Sequence, residues 1–370
     1  MEIYELSVHG RLPPGLREHV PLSTLTTLGV GGPAHYLARC RSVGELAEVL
    51  AWGRARELEV FLLGAGSNLL VADRGFPGLV IQLRDDSIEL AERGAGEVLV
   101  RAAAGADWDV LVARTVAEGL AGLECLSGIP GRVGAAPIQN VGAYGQEVAE
   151  TVRSVEVVEL KTGERRELPA ESCGFAYRRS RFKGRWRGRY AVTRVDFLLP
   201  QRRSGTVRYA DLSRRFAGGR PSLAEVRRAV LEIRRSKSMV LDPGDPNRRS
   251  AGSFFLNPVV TAEQAAEIRE RFRGAAGRPM PEFPAAGGGV KLSAARLIEE
   301  AGFRRGDRHG GAGISTRHSL ALVNRGGATA VEIVALAAKI RRRVRDLCGV
   351  TLEPEPVFLG FEKSVDEMLR

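Results

Sequence analysis

The chain has 370 residues, of which 44% are hydrophobic and 27% are charged, and its formal net charge is +11. Domains of roughly 150 residues are typical, so this length predicts two or three domains with ordinary globular cores. No apolar run approaches the ~18 residues of a membrane span, and no basic-then-apolar leader opens the chain, so we expect a cytoplasmic protein. The four cysteines lie far apart and the five histidines form no ligand-spaced pair, which argues against a metal site or a disulfide framework.

The positive charge has two interpretations. Seven of the twelve residues 178–189 are basic, a density that fits a nucleic-acid-binding surface. However, only six of the 55 basic residues are lysines, so a bias toward arginine runs through the whole chain. A field of this sign also attracts small anions such as nucleotides. Composition alone leaves both interpretations open.

The first part of the chain has the pattern of a compact β-α-β unit. Ser42 and Glu45 form a capping box, which predicts that a helix begins there. In chain order the pattern predicts a strand at 35–40, a helix at 43–57, strands at 60–63, 79–83 and 98–102, a helix at 106–119, and strands at 152–160 and 190–199.

The pattern changes after residue 200. Capping boxes begin at Ser222, Thr261 and Thr329, each ahead of a helix-like segment, and short apolar runs lie between them. This change predicts a domain boundary near residue 205. The Gly/Pro-rich segment 273–289 is typical of a flexible excursion, because apolar periodicity resumes just after it.

Residues 126–145, here called the glycine-rich loop, contain five glycines, two prolines and the single charged residue Arg132. Solvated loops normally carry charge, whereas glycine permits close approach of the backbone to a ligand. The loop therefore either holds a large planar cofactor or is a buried crossover between strands. The first interpretation is favoured, because Gln139, Asn140 and Tyr144 would otherwise be buried polar groups without an obvious purpose.

A second glycine cluster follows the strand at 60–63. Gly64 and Gly66 match the start of a dinucleotide fingerprint, but Leu69 replaces the third glycine and no helix opens there. What remains is a Gly-Ser-Asn turn, a kind of backbone nest that accepts a pyrophosphate. Together with the glycine-rich loop it predicts two clamps on one extended dinucleotide, and an ordinary polar turn is the alternative.

Ser253 is a candidate reactive group. It follows a small flexible pair and precedes two phenylalanines, so its hydroxyl can project from a rigid strand into a pocket. The alternative is a serine that bonds only to nearby backbone. The surrounding residues are not a nucleophile elbow, and no partnered histidine is evident from the sequence.

Two carboxylates near the C-terminus, Glu353 and Glu355, stand among prolines and apolar residues. Such carboxylates are either partly desolvated, which raises their proton affinity, or exposed at the surface. Arg178, which follows Tyr177, is able to grip a carboxylate with two parallel hydrogen bonds, or else it belongs to a solvated charged loop.

Six motifs in this order resemble the UDP-N-acetylenolpyruvoylglucosamine reductase family, over residues 20–360. Each motif alone is moderately specific, and the ordered set is much more so. The motifs are Gly64-Ala-Gly-Ser-Asn68, Gly128-Ile-Pro-Gly131 through Gln139-Asn-Val-Gly-Ala-Tyr144, Tyr177-Arg178-x-Ser180-x-Phe-Lys183, Ala251-Gly-Ser-Phe-Phe-x-Asn-Pro258, Lys291-Leu-x-Ala-x-x-Leu-Ile298 and Leu352-Glu-Pro-Glu355.

The resemblance implies an α+β protein. Residues 1–85 and 86–205 would be two subdomains of an FAD-binding module of the vanillyl-alcohol-oxidase type, 206–350 an α+β substrate-binding domain, and 351–370 a C-terminal segment returning to the active site. It further implies non-covalent FAD with NADPH as co-substrate. The reaction would be reduction of UDP-N-acetylglucosamine enolpyruvate to UDP-N-acetylmuramate in peptidoglycan precursor synthesis.

The resemblance also implies roles for individual residues. Arg178 and Glu355 would polarise the substrate carboxylate, and Ser253 would donate a proton. The implied FAD-binding residues are Gly64, Gly66, Ser67, Asn68, Gly128, Ile129, Gly131, Gln139, Asn140, Gly142, Ala143 and Tyr144. The implied substrate-binding residues are Tyr177, Tyr209, Lys237, Asn257 and Lys291, where Tyr209 matches the closing tyrosine of the family's longer type.

The chain departs from the family pattern at two positions. Thr26 stands where the family has asparagine, which puts one flavin contact in doubt, and Leu256 stands where lysine is common. One rival is a sugar or lactone oxidase of the same fold, although residues 64–78 offer no histidine or cysteine to tether FAD. The other rival is a basic nucleic-acid-binding protein. We expect a monomer that binds a UDP-sugar and NADPH but neither nucleic acid nor membrane.

Overall fold

The computed structural model describes residues 13, 15–94, 96–272 and 279–370. These residues form two compact units, each discontinuous in sequence. Unit 1 contains the described residues up to Val20 together with Ala34–Ala65 and Pro77–Arg235. Unit 2 contains Pro21–Pro33, Gly66–Phe76 and Ser236–Arg370.

Strands and helices are mixed throughout the described chain. The strands are β1 (Arg17–Pro21), β2 (Pro33–Cys40), β3 (Val60–Leu62), β4 (Leu69–Val71), β5 (Phe76–Leu83), β6 (Ile88–Gly94), β7 (Glu97–Ala103), β8 (Gly142–Ala143), β9 (Gln146–Glu147), β10 (Val152–Glu159), β11 (Arg165–Pro169), β12 (Tyr190–Pro200), β13 (Val259–Val260), β14 (Glu282–Pro284), β15 (Val290–Leu292), β16 (Arg308–His309), β17 (Ala312–Ile314), β18 (Leu322–Asn324) and β19 (Val357–Leu359). The α-helices are α1 (Val43–Arg54), α2 (Trp108–Ala117), α3 (Ala210–Phe216), α4 (Leu223–Ser236), α5 (Ala262–Arg271), α6 (Ala294–Glu300), α7 (Ala330–Cys348) and α8 (Val365–Met368).

Unit 1 is built on two sheets. One has the strand order β1-β2-β5-β3, with β3 and β5 parallel, and the other is antiparallel with the order β11-β10-β12-β7-β6. The predicted β-α-β beginning and each strand and helix predicted up to residue 200 are confirmed. The sequence did not predict the short strands β8 and β9 or the edge strands β1, β6 and β11, which are charge-rich and need no continuous apolar pattern.

Helix α2 connects the core of unit 1 to the glycine-rich loop. Its first residue, Trp108, is buried and its ring lies 6.1 Å from that of Phe197 on β12. The indole nitrogen donates a hydrogen bond of 3.1 Å to the carbonyl oxygen of Leu126. The first residue of the loop is therefore fixed to the sheet that carries the unit's largest core cluster.

Unit 2 surrounds helix α7, whose buried face includes Ile333, Leu336 and Ile340. Its sheets are small and have the orders β13-β15-β14, β16-β17-β18 and β19-β4, the last pair parallel. The capping boxes predicted at Thr261 and Thr329 are confirmed at the starts of α5 and α7. Ser222 and Glu225 likewise exchange hydrogen bonds at the start of α4.

The segment after the predicted boundary near residue 205 packs within unit 1. Leu212 on α3 and Val226 and Val230 on α4 are buried in one cluster with Cys125. Unit 1 therefore extends past residue 205 to Arg235. The division into a cofactor domain and a substrate domain stays a prediction. Of the predicted excursion 273–289, residues 273–278 lie outside the described residues, and part of the remainder forms β14, paired with β15.

Of the helices in the described part of the chain, none combines the length and the hydropathy that crossing a membrane needs.

Two glycines of unit 2 allow a matched test of backbone crowding. Gly75 has a φ of +84° and a Cβ there would lie 1.9 Å from the carbonyl oxygen of Pro33, whereas Gly349, with a φ of +72°, has nothing within 4 Å. Gly349→Ala should cost about 1–2 kcal/mol for the left-handed backbone alone. Gly75→Ala should cost at least about 3 kcal/mol, because overpacking is added. Urea unfolding of both variants measures the difference, and equal losses would contradict the close approach.

Candidate active site

Arg178 occupies a tight turn of unit 1. Ala176 and Arg179 exchange two backbone hydrogen bonds of 3.0 Å, so Tyr177 and Arg178 are the central residues of the turn. Arg178 has a φ of +53°, a left-handed conformation that costs a non-glycine residue about 1–2 kcal/mol. Its Nη2 donates a hydrogen bond of 2.7 Å to the carbonyl oxygen of Gly142. The turn thus holds a guanidinium against the glycine-rich loop, and backbone strain of this kind is concentrated at functional sites.

Close packing explains why glycine occupies three positions of the glycine-rich loop. A Cβ at Gly134 would lie 2.6 Å from that of Ala104, and one at Gly145 would lie 2.9 Å from that of Arg208. At Gly142 a Cβ would lie 2.8 Å from Cγ of Glu147. These three glycines are thus required by the fold of unit 1 itself, in addition to any role toward a ligand.

Asn140 is buried in the glycine-rich loop with its side chain engaged within the chain. Its Nδ2 donates to a carboxylate oxygen of Glu147 at 2.6 Å and to the carbonyl oxygen of Ala176 at 3.1 Å. Its Oδ1 accepts from the backbone of Ala149 at 3.1 Å. The asparagine therefore connects the loop to the turn that carries Arg178.

Tyr144 brings a predicted cofactor residue beside a predicted substrate residue. Its ring lies edge-on to that of Tyr209, with centroids 5.4 Å apart. Burial raises the pKa of Tyr144 to about 12, and its hydroxyl is hydrogen-bonded to Arg234 on α4. Burial, together with the charge of Arg178, lowers the pKa of Arg234, whose Nε is shielded from solvent. Two guanidinium groups therefore lie near the same part of the loop and favour an anionic ligand.

Asp109 links α2, α4 and the glycine-rich loop. Its carboxylate accepts two hydrogen bonds from Arg227, at 2.6 and 2.9 Å, and one from the backbone N–H of Gly128 at 2.6 Å. Burial alone would raise the pKa of this carboxyl, but these donors outweigh it and hold the pKa below its usual value. Asp109 therefore fixes the position of Gly128, a predicted FAD-binding residue.

Glu124 ties the start of the Tyr209 segment to the loop. It is fully buried, and its carboxylate accepts hydrogen bonds from the backbone of Gly122 at 2.7 Å and of Thr206 at 2.8 Å. Gln146 donates to the same carboxylate at 2.9 Å. Because three donors compensate for the burial of this carboxylate, its position is fixed, and it in turn positions the chain that leads to Tyr209.

In unit 2, the stretch 253–256 is hydrogen-bonded on both sides. The N–H of Phe254 donates to the carbonyl of Leu320 at 2.8 Å, and the carbonyl of Phe254 accepts from the N–H of Glu355 at 2.9 Å. The N–H of Leu256 donates to the carbonyl of Glu353 at 2.9 Å. Ser253 and Glu355, both predicted as catalytic, therefore lie on adjacent stretches of backbone.

His318 is a partner of Ser253 that the sequence did not reveal. Its Nε2 lies 3.5 Å from the serine Oγ, although the two residues are 65 positions apart. No partnered histidine was evident from the sequence, and the structure places this one beside the serine. Sequence spacing carried no signal for the pair, because the Phe254–Leu320 hydrogen bond brings the two stretches together.

The predicted pyrophosphate turn also contacts the C-terminal stretch within unit 2. Asn68 donates from Nδ2 to the carbonyl of Glu355 at 3.3 Å, and its own carbonyl accepts from Val357 at 3.0 Å. Thr27 donates from its backbone to Gly66 at 3.1 Å and from its hydroxyl to the carbonyl of Ser250 at 2.6 Å. The threonine pair at 26–27 thus holds the turn beside the stretch that carries Ser253.

The predicted substrate residues divide between the units. Tyr177 and Tyr209 belong to unit 1, and Lys237, Asn257 and Lys291 belong to unit 2. Asn257 accepts from the N–H of Ala294 at 3.0 Å, at the start of α6. Lys291 pairs with Val259 across β15 and β13, and its ammonium lies 5.9 Å from the ring centroid of Phe283.

The predicted FAD residues divide in the same way. Unit 2 contains Gly66, Ser67 and Asn68. Unit 1 contains Gly64, Gly128, Ile129, Gly131, Gln139, Asn140, Gly142, Ala143 and Tyr144. No set of three metal-ligating side chains is grouped within the described ranges.

The profile of a family described as "FAD binding domain" matches residues 34–168, so part of the chain is of a flavin-binding class. The profile of the C-terminal domain of UDP-N-acetylenolpyruvoylglucosamine reductase matches residues 245–359. A reductase of that name from Thermobifida fusca is 50% identical over 92% of this chain and 97% of its own length. One from Mycobacterium marinum is 42% identical over 95% of this chain and 98% of its own length.

A solved structure of UDP-N-acetylenolpyruvylglucosamine reductase from Thermus caldophilus is 31% identical to this chain, with a TM-score of 0.62. The match covers 93% of this chain and 99% of the other. The chain belongs to the UDP-N-acetylenolpyruvoylglucosamine reductase family. The predicted family, the α+β fold with a flavin-binding module and the predicted class of oxidoreductase are confirmed.

Asp109→Asn should weaken the link between α4 and the glycine-rich loop. A carboxyl whose pKa is lowered by folding stabilises the protein above its unfolded pKa of about 3.9 and loses that contribution as the pH falls through the folded pKa. We therefore expect a loss of about 1–3 kcal/mol at pH 7. The difference from the wild type should shrink below pH ~4.

Urea unfolding at several pH values measures this difference, and Asp86→Asn is the control, because Asp86 is exposed. Equal destabilisation by the two substitutions, or a difference that does not depend on pH, would contradict the role of Asp109.

Proposed function

We propose that this protein catalyses the NADPH-dependent, FAD-mediated reduction of UDP-N-acetylglucosamine enolpyruvate to UDP-N-acetylmuramate in peptidoglycan precursor synthesis, as a cytoplasmic monomer. Family membership supports the reaction. The observation that carries the assignment within the chain is the backbone pairing that sets Ser253 beside Glu355. These residues would be the proton donor and one of the carboxylate-polarising groups.

The residues present fit an FAD. The glycine-rich loop offers a weakly charged surface, and its Asn140 and Tyr144 adopt the left-handed conformation, with φ of +46° and +49°. Such conformations persist where the surrounding structure fixes the backbone, and they are concentrated at active sites and ligand-binding segments. A bound FAD would supply the hydride chemistry between NADPH and the terminal vinyl carbon of the substrate. The loop would orient that cofactor and exclude water from one side.

Charge develops at defined atoms of the substrate. Hydride addition to the vinyl carbon places negative charge on the adjacent carbon and on the carboxylate conjugated to it, so donors are needed there. Arg178 would bind this carboxylate through its guanidinium. Glu355 would be the second group of this carboxylate-polarising pair. The Oγ–H bond of Ser253 would break as the new C–H bond forms.

The remaining site residues would bind the nucleotide part of the substrate. Lys237, Asn257 and Lys291 supply two cations and an amide, which suit phosphates and uridine. Tyr177 and Tyr209 would contribute aromatic and hydroxyl contacts, and Tyr209 would close over the substrate. The buried Glu124 would set the path of the chain that leads to Tyr209.

The rival functions gain less support. An oxidase with tethered flavin needs a reactive side chain, yet burial raises the pKa of the Cys40 thiol to about 12 and that of Cys173 to about 11. A nucleic-acid-binding surface needs accessible rings, whereas Trp186 is half-buried and has the guanidinium groups of Arg181 and Arg185 each 5.6 Å from its ring centroid.

Ser253→Ala separates the two half-reactions. NADPH should still bleach the flavin at a near-normal rate, because that step needs no proton from Ser253. Reoxidation by the enolpyruvyl substrate should slow by at least ~10². Stopped-flow absorbance of the flavin measures both rates, with the exposed Ser204→Ala as control. Equal slowing of the two half-reactions would refute the assigned role.

The flavin should be released intact by acid precipitation. No histidine or cysteine lies between Gly64 and Gly78, and the thiols of Cys40, Cys125 and Cys173 are buried. We expect the yellow chromophore in the supernatant, with the absorbance spectrum of free FAD. Flavin that remains in the washed pellet would favour the tethered oxidase instead.

A further inference from the structure

Proton donation by a serine poses a chemical problem. The hydroxyl that gives up its proton becomes an alkoxide, which is unstable unless a nearby group donates a hydrogen bond to it. The serine must also point its O–H toward the substrate carbon, although a hydroxyl rotates freely unless its oxygen is held. A second donor to the Ser253 oxygen would meet both needs.

His318 is placed to be that donor. Its Nε2 lies 3.5 Å from Oγ of Ser253, at the long end of the hydrogen-bonding range, and both residues are half-buried. Catalytic hydrogen bonds are often long without substrate and shorten in the complex. The neighbouring Phe254–Leu320 backbone hydrogen bond of 2.8 Å fixes the distance between the two stretches.

The turn that carries His318 is itself well anchored. The N–H of Ala321 donates to the carbonyl of His318 at 3.1 Å, and the N–H of Ser315 donates to the carbonyl of Ala321 at 2.8 Å. The buried Asn247 accepts from the N–H of Thr316 at 2.9 Å and donates from Nδ2 to its hydroxyl at 3.0 Å. The imidazole is therefore presented from a rigid support, as a positioning residue requires.

The same asparagine extends this support toward a predicted substrate residue. Its Nδ2 also contacts Oγ of Ser238 at 3.2 Å, and Ser238 directly follows Lys237. The Ser238 backbone is left-handed, with a φ of +56°. Asn247 therefore positions the turn of His318 and the residue after Lys237 together.

We propose that His318 is a positioning residue for Ser253, donating an Nε2–H hydrogen bond to the serine oxygen; this role rests on the proposed reductase function. The bond leaves the serine O–H free to point at the substrate. As the Oγ–H bond breaks and the C–H bond forms, the Nε2–H donor stabilises the alkoxide without losing its own proton. The carbanion's electron pair forms the C–H bond and the O–H pair stays on the serine oxygen. The alkoxide then takes a proton from solvent, so one solvent proton is consumed and no oxidation state changes in this step.

The test compares three substitutions at one position. His318→Ala removes the donor and should slow flavin reoxidation by the enolpyruvyl substrate ~10²-fold, the lower end of the range for a single oxyanion donor. His318→Gln keeps an N–H donor and should retain reoxidation within ~5-fold of the wild type, whereas His318→Leu should resemble alanine. Reduction by NADPH should stay within ~2-fold in all three, because Ser253 takes no part in it.

Two further measurements separate positioning from simple structural loss. In a Ser253→Ala background, His318→Ala should add less than ~2-fold, since the two residues would act as a unit. His309→Ala, a histidine on β16 of the same unit, should leave both half-reactions unchanged.

The outcomes distinguish the inference from the function on which it rests. A wild-type protein whose reduced flavin is not reoxidised by the enolpyruvyl substrate would sink the reductase function. If the wild type is active, either full activity of His318→Ala, failure of glutamine to rescue, or additive loss in the double variant would overturn the role of His318 alone.

Discussion

The two-sided hydrogen bonding of the stretch 253–256 is the constraint on which the predicted chemistry of unit 2 depends. Phe254 uses its N–H toward Leu320 and its carbonyl toward Glu355, and its ring is fully buried in the core around α7. A stretch held by both backbone bonds and a buried ring cannot shift without breaking all of them. Ser253, the residue just before it, therefore has neighbours set by backbone geometry.

Unit 1 uses a different device, in which side chains fix a loop. Asp109, Asn140 and Glu124 each accept or donate several hydrogen bonds around the glycine-rich loop, and Trp108 holds its first residue. A glycine-dense backbone has high conformational freedom, so it requires such external anchors to keep one shape. The strained Arg178 turn then rests on this ordered loop through Gly142.

Much of the fold was readable from local patterns. Capping boxes at Thr261 and Thr329 marked helix starts, because the reciprocal bonds involve residues only three apart. The strands of unit 1 with continuous apolar runs were also predicted. The edge strands β6 and β11 were not predicted. Each pairs on one side only and carries exposed charged side chains, so it lacks the continuous apolar run on which such a prediction depends.

The sequence by itself determined the family, the flavin-binding class and the candidate residues. Motifs that occur in a fixed order can be recognised from the residues alone, however far apart they lie along the chain. It could not determine which side chains meet. The Ser253–His318 contact, the Asn140 link to the Arg178 turn and the Asp109–Arg227 pair join residues separated by 36 to 118 positions. Such contacts depend on how the stretches pack, and packing is decided by the whole core of each unit. Only the tertiary structure therefore showed that His318 lies beside Ser253, the proposed proton donor.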